Sequence, residues 1–343
     1  MKYNNQELQH AYLLSGTFTL ALRLVVGWTY FSAFWRRLVL DNKLIQDEAG
    51  YIGEKFNHFL PNALGIKPII EYLVSNPDTL WWAMVIFTII EAIVGLFIMM
   101  GLFTRIMSIG VLGLATGILL GSGWLGTTCL DEWQIGILGM ATGFAIFFTG
   151  GGRYSIDHYL LKKVQFEQFR YSSWMMSGAL PVRDKTMDKI LISGSAIIFC
   201  MALFTNQHFH NGVWGKLHNK SVKPVIEISE TKLNDGNLSF TVFRVEGADV
   251  YGSFLIGIQL KDQDGNVIID KDGKSLSQFS MSDINNYYIA KVAPGKHSLI
   301  IPLGSKAGLT IEDKRLQNLP KGKVYELTLT DISGITWTQN INH

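Results

Sequence analysis

Five long apolar segments constrain this chain more than any other feature of its sequence. About 20 apolar residues span the hydrocarbon core of a bilayer, and a helix satisfies the backbone hydrogen bonds at that depth. The first segment contains one charged residue, Arg23, the second contains Glu91, and the others contain none. The sequence therefore predicts five transmembrane helices, at residues 11–35, 79–100, 106–125, 133–152 and 190–207.

The C-terminal part of the chain has a different pattern. Mean hydropathy is only +0.20 although 48% of the residues are hydrophobic, which is low for a chain that lies in the membrane throughout. From about Lys223 onward, apolar and polar residues alternate in short runs, as in β-strands. The runs are 225–229, 238–243, 254–260, 297–301 and 324–329, with turns at Asp264-Gly265 and Pro294-Gly295. We predict a membrane all-α four-helix bundle plus a fifth transmembrane helix, followed by an all-β immunoglobulin-like sandwich.

The distribution of Lys and Arg predicts the orientation. Basic residues concentrate between Arg153 and Lys189, so this stretch is expected in the cytoplasm, and its first part, 153–174, is expected to form a helix on the membrane surface. We expect a multi-pass protein of a prokaryotic inner (cytoplasmic) membrane, with a cytoplasmic N-terminus and a periplasmic or extracytoplasmic C-terminal domain. The predicted division is a four-helix domain, 1–175, with an outer loop, 36–78, then a cytoplasmic linker and fifth helix, 176–210, and a β-sandwich, 211–343.

Several function classes find no support in the sequence. The net charge is +2 and no nucleic-acid-binding motif occurs, so we expect no nucleic acid partner. No haem, flavin, iron–sulfur or nucleotide motif is found, and the glycines at 150–152 do not follow a strand. Cys129 and Cys200 lie in a loop and in an apolar span, so we expect no disulfide between them. We also predict no metal site, although three histidines lie near the end of the fifth span: His208, His210 and His218.

Arg23 and Glu91 are notable because an intramembrane charge needs a partner or a water-filled cavity. A count of ~1.5 Å per residue along two antiparallel spans places both at similar depth. We therefore predict an Arg23–Glu91 pair. Two roles remain open: a structural clamp between two helices, or a quinone or proton site in which Glu91 accepts a proton.

A second cluster is predicted on the outer face. Arg36 and Arg37 end the first span where the charge rule disfavours basic residues, and two arginines there suit a small oxyanion. The fourth span opens with Asp131 and Glu132, two residues after Cys129. Alternatively, the arginines pair with these acids or reach lipid headgroups. Asp131 then serves only as a helix N-cap, with Glu132 favoured by the helix dipole and Cys129 an inert thiol.

Three segments together resemble the DoxX/DoxD family of membrane proteins. They are Leu22–Gly27, Glu91–Arg105, and Gly150–Asp157, which is similar to the family's closing G-x-G-R-x-S-x-D segment. The outer loop and the segment Cys129–Trp133 resemble DoxD, the small subunit of thiosulfate:quinone oxidoreductase, and the β-domain resembles DoxA. The motif residues on the inner face are Arg105, Arg153, Ser155 and Asp157.

The resemblance implies a fused DoxD–DoxA protein that oxidises thiosulfate to tetrathionate outside the membrane and passes the electrons to quinone. Its implied partners are the lipid bilayer, a thiosulfate-like anion and quinone, and a homo-oligomer or other membrane subunits stay open. Since no redox cofactor motif is found, either electrons pass directly from sulfur to quinone or another subunit is required. The site residues would be Arg36, Arg37 and Trp133 for the anion, and Glu91, Arg23, Cys129, Asp131 and Glu132 for catalysis.

Two other functions remain open. One is a non-catalytic assembly protein whose outer β-sandwich binds partner proteins. The other is a small-solute transporter, which is less favoured because the spans contain a single predicted charge pair and no clear inverted repeat.

Overall fold

The chain divides into two compact units. The computed structural model describes residues 5–46, 48, 50–126, 131–163, 172–234, 236–248 and 252–343. The helical unit comprises Met1–Ile52, Trp81–Gly123 and Leu130–His218, and the β-unit comprises Gly53–Leu80, Trp124–Cys129 and Asn219–His343. The sequence division assigned the whole loop 36–78 to the helical domain, whereas residues 53–80 lie in the β-unit.

Helices occupy the apolar segments of the sequence. A π-helical segment, Trp35–Leu40, continues the second helix, and a 3-10 turn, Leu60–Asn62, follows the third. Two short helices lie in the predicted surface helix 153–174, whose middle part, 164–171, is outside the described residues. The helices are α1 (Asn5–Phe18), α2 (Leu20–Phe34), α3 (Glu54–Phe59), α4 (Lys67–Val74), α5 (Pro77–Met100), α6 (Thr104–Ser122), α7 (Asp131–Thr149), α8 (Ile156–Leu161), α9 (Ser172–Met175) and α10 (Asp184–His210).

The helical unit contains helices that can cross a membrane. Within the described residues, α5, α6 and α10 are long and apolar enough, and the pair Glu7–Phe18 and Leu20–Leu40, bent by 51°, forms a fourth span if it is counted as one. The chain is therefore a membrane protein. Helix α7 occupies the fourth predicted segment but is not among these spans, so the count of five remains a prediction.

Close backbone contacts set how the spans pack. A Cβ on Gly95 of α5 would lie 2.4 Å from the main-chain nitrogen of Phe31 of α2, so these helices cross in near contact. Gly143 of α7 lies against Leu112 of α6 in the same manner, since a Cβ there would lie 2.9 Å from the Leu112 nitrogen. Small residues at such crossings are typical of membrane helices, because packing rather than the hydrophobic effect joins them.

Two antiparallel sheets form most of the β-unit. One sheet has the order β1-β2-β8-β5, and the other has the order β10-β9-β3-β7-β6, with β4 paired to β3. A short helix, α11 (Gly273–Ser277), follows β4. The strands are β1 (Val225–Asn234), β2 (Asn237–Glu246), β3 (Ser253–Lys261), β4 (Val267–Asp272), β5 (Ile284–Asn286), β6 (Ala293–Pro294), β7 (Leu299–Ile301), β8 (Lys306–Glu312), β9 (Val324–Asp331) and β10 (Thr336–Asn342).

Both sheets contribute to one apolar core. Phe240 and Leu309 from the first sheet and Ile258 and Leu327 from the second are buried in the same cluster. Each predicted strand run contains a strand, because alternation of apolar and polar residues matches the two faces of a half-buried sheet. The all-β character is confirmed, and the immunoglobulin-like topology remains a prediction.

The segment between the first two spans is built into the β-unit. The side chain of Asn57 on α3 is fully buried, donating to the Gly304 carbonyl (3.1 Å) and accepting from the Ala290 N–H (3.2 Å). Tyr288 donates to the carboxylate of Glu71 on α4 at 2.7 Å. These hydrogen bonds make residues 53–80 part of the β-unit rather than a free loop.

Candidate functional site

A buried ion pair lies in the middle of α5. Nη1 of Arg37 lies 2.6 Å from Oε2 of Glu91, and the two side chains are only 13% and 5% exposed. The same Nη1 donates to Oγ1 of Thr88 at 2.9 Å. Thr88 and Glu91 are three residues apart on one helix face, so both present oxygen atoms to the guanidinium.

The surroundings of this pair are apolar. The ring of Phe87 lies 5.9 Å from the Arg37 guanidinium carbon, and Tyr30, which interacts electrostatically with Glu91, is only 3% exposed. Tyr30 belongs to an apolar cluster with Val94 and other core residues. In such surroundings each charge depends on the other, because an unpaired buried charge costs several kcal/mol.

Arg37 lies in the π-helical segment that continues α2. Such segments are rare and are frequent at functional sites. An acid, a guanidinium, a threonine hydroxyl and a phenol therefore converge inside the helical unit. Such a group can bind a polar headgroup in an apolar environment and exchange a proton with it.

The predicted Arg23–Glu91 pair is wrong. Arg23 is buried, but its guanidinium donates to the carbonyls of Gly151 and Tyr154. A Cβ on Gly101 would lie 2.7 Å from Nη1 of Arg23, so this arginine is opposite the end of α5. Ten residues separate Gly101 from Glu91, or ~15 Å along a helix. The depth count failed because the apolar segment is broken at Thr19, so Arg23 lies only three residues after the start of α2 at Leu20.

Two inner-face motif residues connect helix ends. The carboxylate of Asp157, fully buried, accepts hydrogen bonds from the main-chain nitrogens of Phe103 (2.7 Å) and Thr104 (3.0 Å) and from the hydroxyl of Ser177 (2.8 Å). Burial raises the pKa of the Asp157 carboxyl, although the hydrogen bonds from Thr104, Ser177 and Phe103 oppose the rise. Arg105 donates to the carbonyls of Phe147, Ser173 and Gly178.

The other two motif residues are closer to the surface. Ser155 is the N-cap of α8 and accepts the N–H of His158 at 3.1 Å. Arg153 is exposed, and its main-chain N–H donates to Oγ1 of Thr17. Like Arg23, the motif residues mostly bind main-chain groups. This cluster therefore holds helix ends together, as a structural joint does.

The structure separates the two arginines of the predicted anion site. Arg37 is bound to Glu91, whereas Arg36 is exposed and its Nε donates to the Ser32 carbonyl at 3.2 Å. The indole N–H of Trp133 donates to Oγ1 of Thr205 on α10 at 2.9 Å. The anion-binding role of these three residues remains a prediction.

The remaining members of the predicted outer cluster are described only in part. Cys129 and the side chain of Asp131 lie outside the described residues, while Asp131 begins α7 and Glu132 is half-buried. Their predicted catalytic roles therefore remain predictions. Among the histidines near the end of the fifth predicted span, His210 is buried, and its Nε2 lies 3.0 Å from the Gly123 carbonyl oxygen. Within the part of the chain that the structure describes, no group of three or more His, Cys, Asp or Glu side chains is placed to hold a metal.

Sequence reasoning missed Thr88, Phe87 and Tyr30. The spacing of three residues between Thr88 and Glu91 was the available signal, since it indicates that both lie on one face of a helix. Tyr30 and Arg37, seven residues apart, also repeat at helical spacing.

Two family models match the chain. Residues 18–183 match the model described as TQO small subunit DoxD, and residues 209–340 match the model described as TQO small subunit DoxA. The first match covers the Arg37–Glu91 pair and the joint at Asp157, and the second covers the strands of the β-unit.

Proposed function

Because the chain belongs to the DoxD family over residues 18–183 and to the DoxA family over residues 209–340, we propose that it is a membrane-bound thiosulfate:quinone oxidoreductase. Two thiosulfate ions form one sulfur–sulfur bond to give tetrathionate and release two electrons. Quinone takes up these electrons and two protons to give quinol. The observation that carries the proposal is the buried Arg37–Glu91 pair, which puts a carboxylate and its counter-ion inside an apolar helical unit.

In this proposal the ion-paired carboxylate of Glu91 takes up a proton from water and passes it to the reduced quinone, and the second proton also comes from water. Arg37 stabilises the negative charge that develops on the quinone oxygen, and Thr88 positions the guanidinium through its 2.9 Å hydrogen bond. Arg23 has no part in this site, because carbonyl groups already bind its guanidinium. Its predicted catalytic role passes to Arg37.

Thiosulfate oxidation is assigned to the outer side of the membrane. Arg36 attracts the anion there. The other residues proposed to border the anion are Cys129, Asp131, Glu132 and Trp133. The membrane is a prokaryotic inner membrane, with the N-terminus in the cytoplasm and the β-unit outside, as the distribution of Lys and Arg predicts.

The test is quinone reduction by the purified full-length chain with thiosulfate and a soluble quinone. Glu91→Gln should lower turnover about 100-fold or more, the usual contribution of a positioned acid or base. Glu227→Gln is the matched control, because Glu227 is an exposed glutamate on β1 and should keep full turnover.

Stability measured on the same variants separates catalysis from a structural clamp. Arg37→Met combined with Glu91→Leu removes both buried charges and should keep most of the stability while turnover stays low. If Glu91→Gln keeps full turnover and loses only stability, the pair is a clamp and the proposed quinone site is refuted.

A second candidate is a non-catalytic assembly protein whose β-unit binds partner proteins. It is favoured by the inner-face motif, in which Arg105 and Asp157 bind main-chain groups rather than presenting free side chains. A purified chain that reduces no quinone but holds other proteins in fixed ratio would support this candidate against the oxidoreductase.

A further inference from the structure

A cavity of about 380 Å³ lies between α1, α8 and residues 172–179 of the helical unit. Gln9 and Tyr12 line it from α1, His158 and Lys162 line it from α8, and Ser173 lines it from the third side. The proposed quinone site does not include these residues. The volume is suited to a small polar group.

The described residues that line the cavity carry a net positive charge. Among its described lining residues, Lys162 contributes an ammonium group and there is no Asp or Glu. Arg105 lies directly behind the wall, since its guanidinium donates to the carbonyls of Ser173 and Gly178. Burial and then the charges of Lys162 and Arg153 lower the pKa of His158, as expected where the local potential is positive.

The nearest acid of the motif, Asp157, is not among the residues that line the cavity. The carboxylate of Asp157 is buried and receives two main-chain N–H groups and the Ser177 hydroxyl. The hydroxyl groups of Tyr12 and Ser173 and the ring of His158 line the cavity and can donate hydrogen bonds. A ligand with negative charge and several acceptor oxygens matches this lining.

The cavity lies beside the end of α7 and the start of α6, where these helices would meet lipid headgroups. Helix α7 ends at Thr149 and α6 begins at Thr104, so the segments that follow and precede them lie at the polar ends of the spans. Basic pockets beside transmembrane helices are sites for anionic headgroups. We propose that this cavity binds a phosphate group, supplied by the headgroup of an anionic phospholipid or by a free phosphate anion.

The experiment uses the full-length chain in a mild detergent. Native mass spectrometry with added phosphatidylglycerol or phosphatidylcholine tests the lipid source, and thermal unfolding with inorganic phosphate tests the soluble source. Lys162→Gln should weaken the interaction about fivefold, which corresponds to one lysine at a charged membrane surface. Ala179→Phe should also weaken it, because Ala179 lines the cavity and the ring fills it without a change of charge.

Lys163→Gln is the matched control, since Lys163 is the next residue and its ammonium lies over the ring of Tyr159, outside the cavity lining. Preferential retention of phosphatidylglycerol that Lys162→Gln and Ala179→Phe reduce, and that Lys163→Gln leaves unchanged, supports the lipid source. Stabilisation by inorganic phosphate without a lipid preference supports the soluble source. The proposal is overturned if neither ligand has an effect, or if Lys163→Gln weakens the interaction as much as Lys162→Gln.

Discussion

Replacing Asn57 with alanine removes two buried hydrogen bonds that hold residues 53–80 to the rest of the β-unit. The Asn57 side chain is 0% exposed, and it pairs with the Gly304 carbonyl and the Ala290 N–H. Alanine leaves both main-chain groups without these partners. The substitution therefore tests whether this segment is a structural part of the β-unit.

The expected loss follows from the two orphaned groups. A buried polar group that loses its partner costs about 1–3 kcal/mol, so two cost about 2–6 kcal/mol. Water can enter the space that the amide leaves and satisfy part of this cost, which brings the expected loss to about 2–4 kcal/mol. Every 1.4 kcal/mol is tenfold, so local opening should become about 30-fold to 700-fold more frequent.

Hydrogen exchange of the full-length protein, read by mass spectrometry, measures this opening. Exchange should rise in α3, in α4 and around residues 288–304, while the spans α5 and α6 keep their protection. Asn340→Ala, an exposed amide on β10, is the control and should change little. Unchanged exchange in α3 and α4 of the Asn57→Ala variant would refute the reasoning, and so would an equal rise in the control.

Two further predictions concern carboxylates. Asp157→Ala removes the acceptor for two main-chain N–H groups at the start of α6 and should lower the stability by about 2 kcal/mol. The loss should appear as a lower melting temperature. Asp184→Ala, at the exposed start of α10, is the control and should leave the melting temperature unchanged. The side chain of Arg315 lowers the pKa of Asp313 from 3.8 to about 2. Because the folded-state pKa is depressed, this stabilisation is present above about pH 4 and is lost as the pH falls toward 2. Asp313→Asn should therefore destabilise the β-unit by less than about 1 kcal/mol at pH 6, with no difference from the parent near pH 2, by thermal unfolding.

The sequence predicted the elements of the fold because their signals are local. An apolar run without charges, such as 106–125, can only be helical in a bilayer, and α6 occupies it. Alternating runs such as 238–243 predicted β2 for the same reason, since the two faces of a strand differ in polarity at every residue. These two interpretations each depend on one element alone, and the structure agrees with both.

The partner of Glu91 required information that no single segment contains. Depth counting treated the first span as one straight helix, but the chain bends by 51° at Thr19, and Arg23 lies near the start of the second helix, at Leu20. The crossing at Gly95 and Phe31 then sets which residues of α2 lie opposite α5. As a result Arg37, rather than Arg23, reaches Glu91.

The place of residues 53–80 was also unpredictable from local pattern. The sequence predicts that the segment belongs to a charge-balanced outer loop, and Gly304 and Ala290, the partners of Asn57, are more than 200 residues away in the chain. Asn57 can be recognised as a buried structural residue only after its hydrogen-bond partners, Gly304 and Ala290, are known.

The hydrogen bond between Asn57 and Gly304 joins residues 247 positions apart, which sets an order of events during synthesis. At about 5–20 residues per second, the ribosome needs roughly 10–50 s to reach Gly304 after it has added Asn57. Throughout this interval Leu60, Ile70 and Val74, which are buried in the finished protein, have no strands to pack against. We therefore expect this apolar face to stay uncovered by the strands of the β-unit until translation is nearly complete.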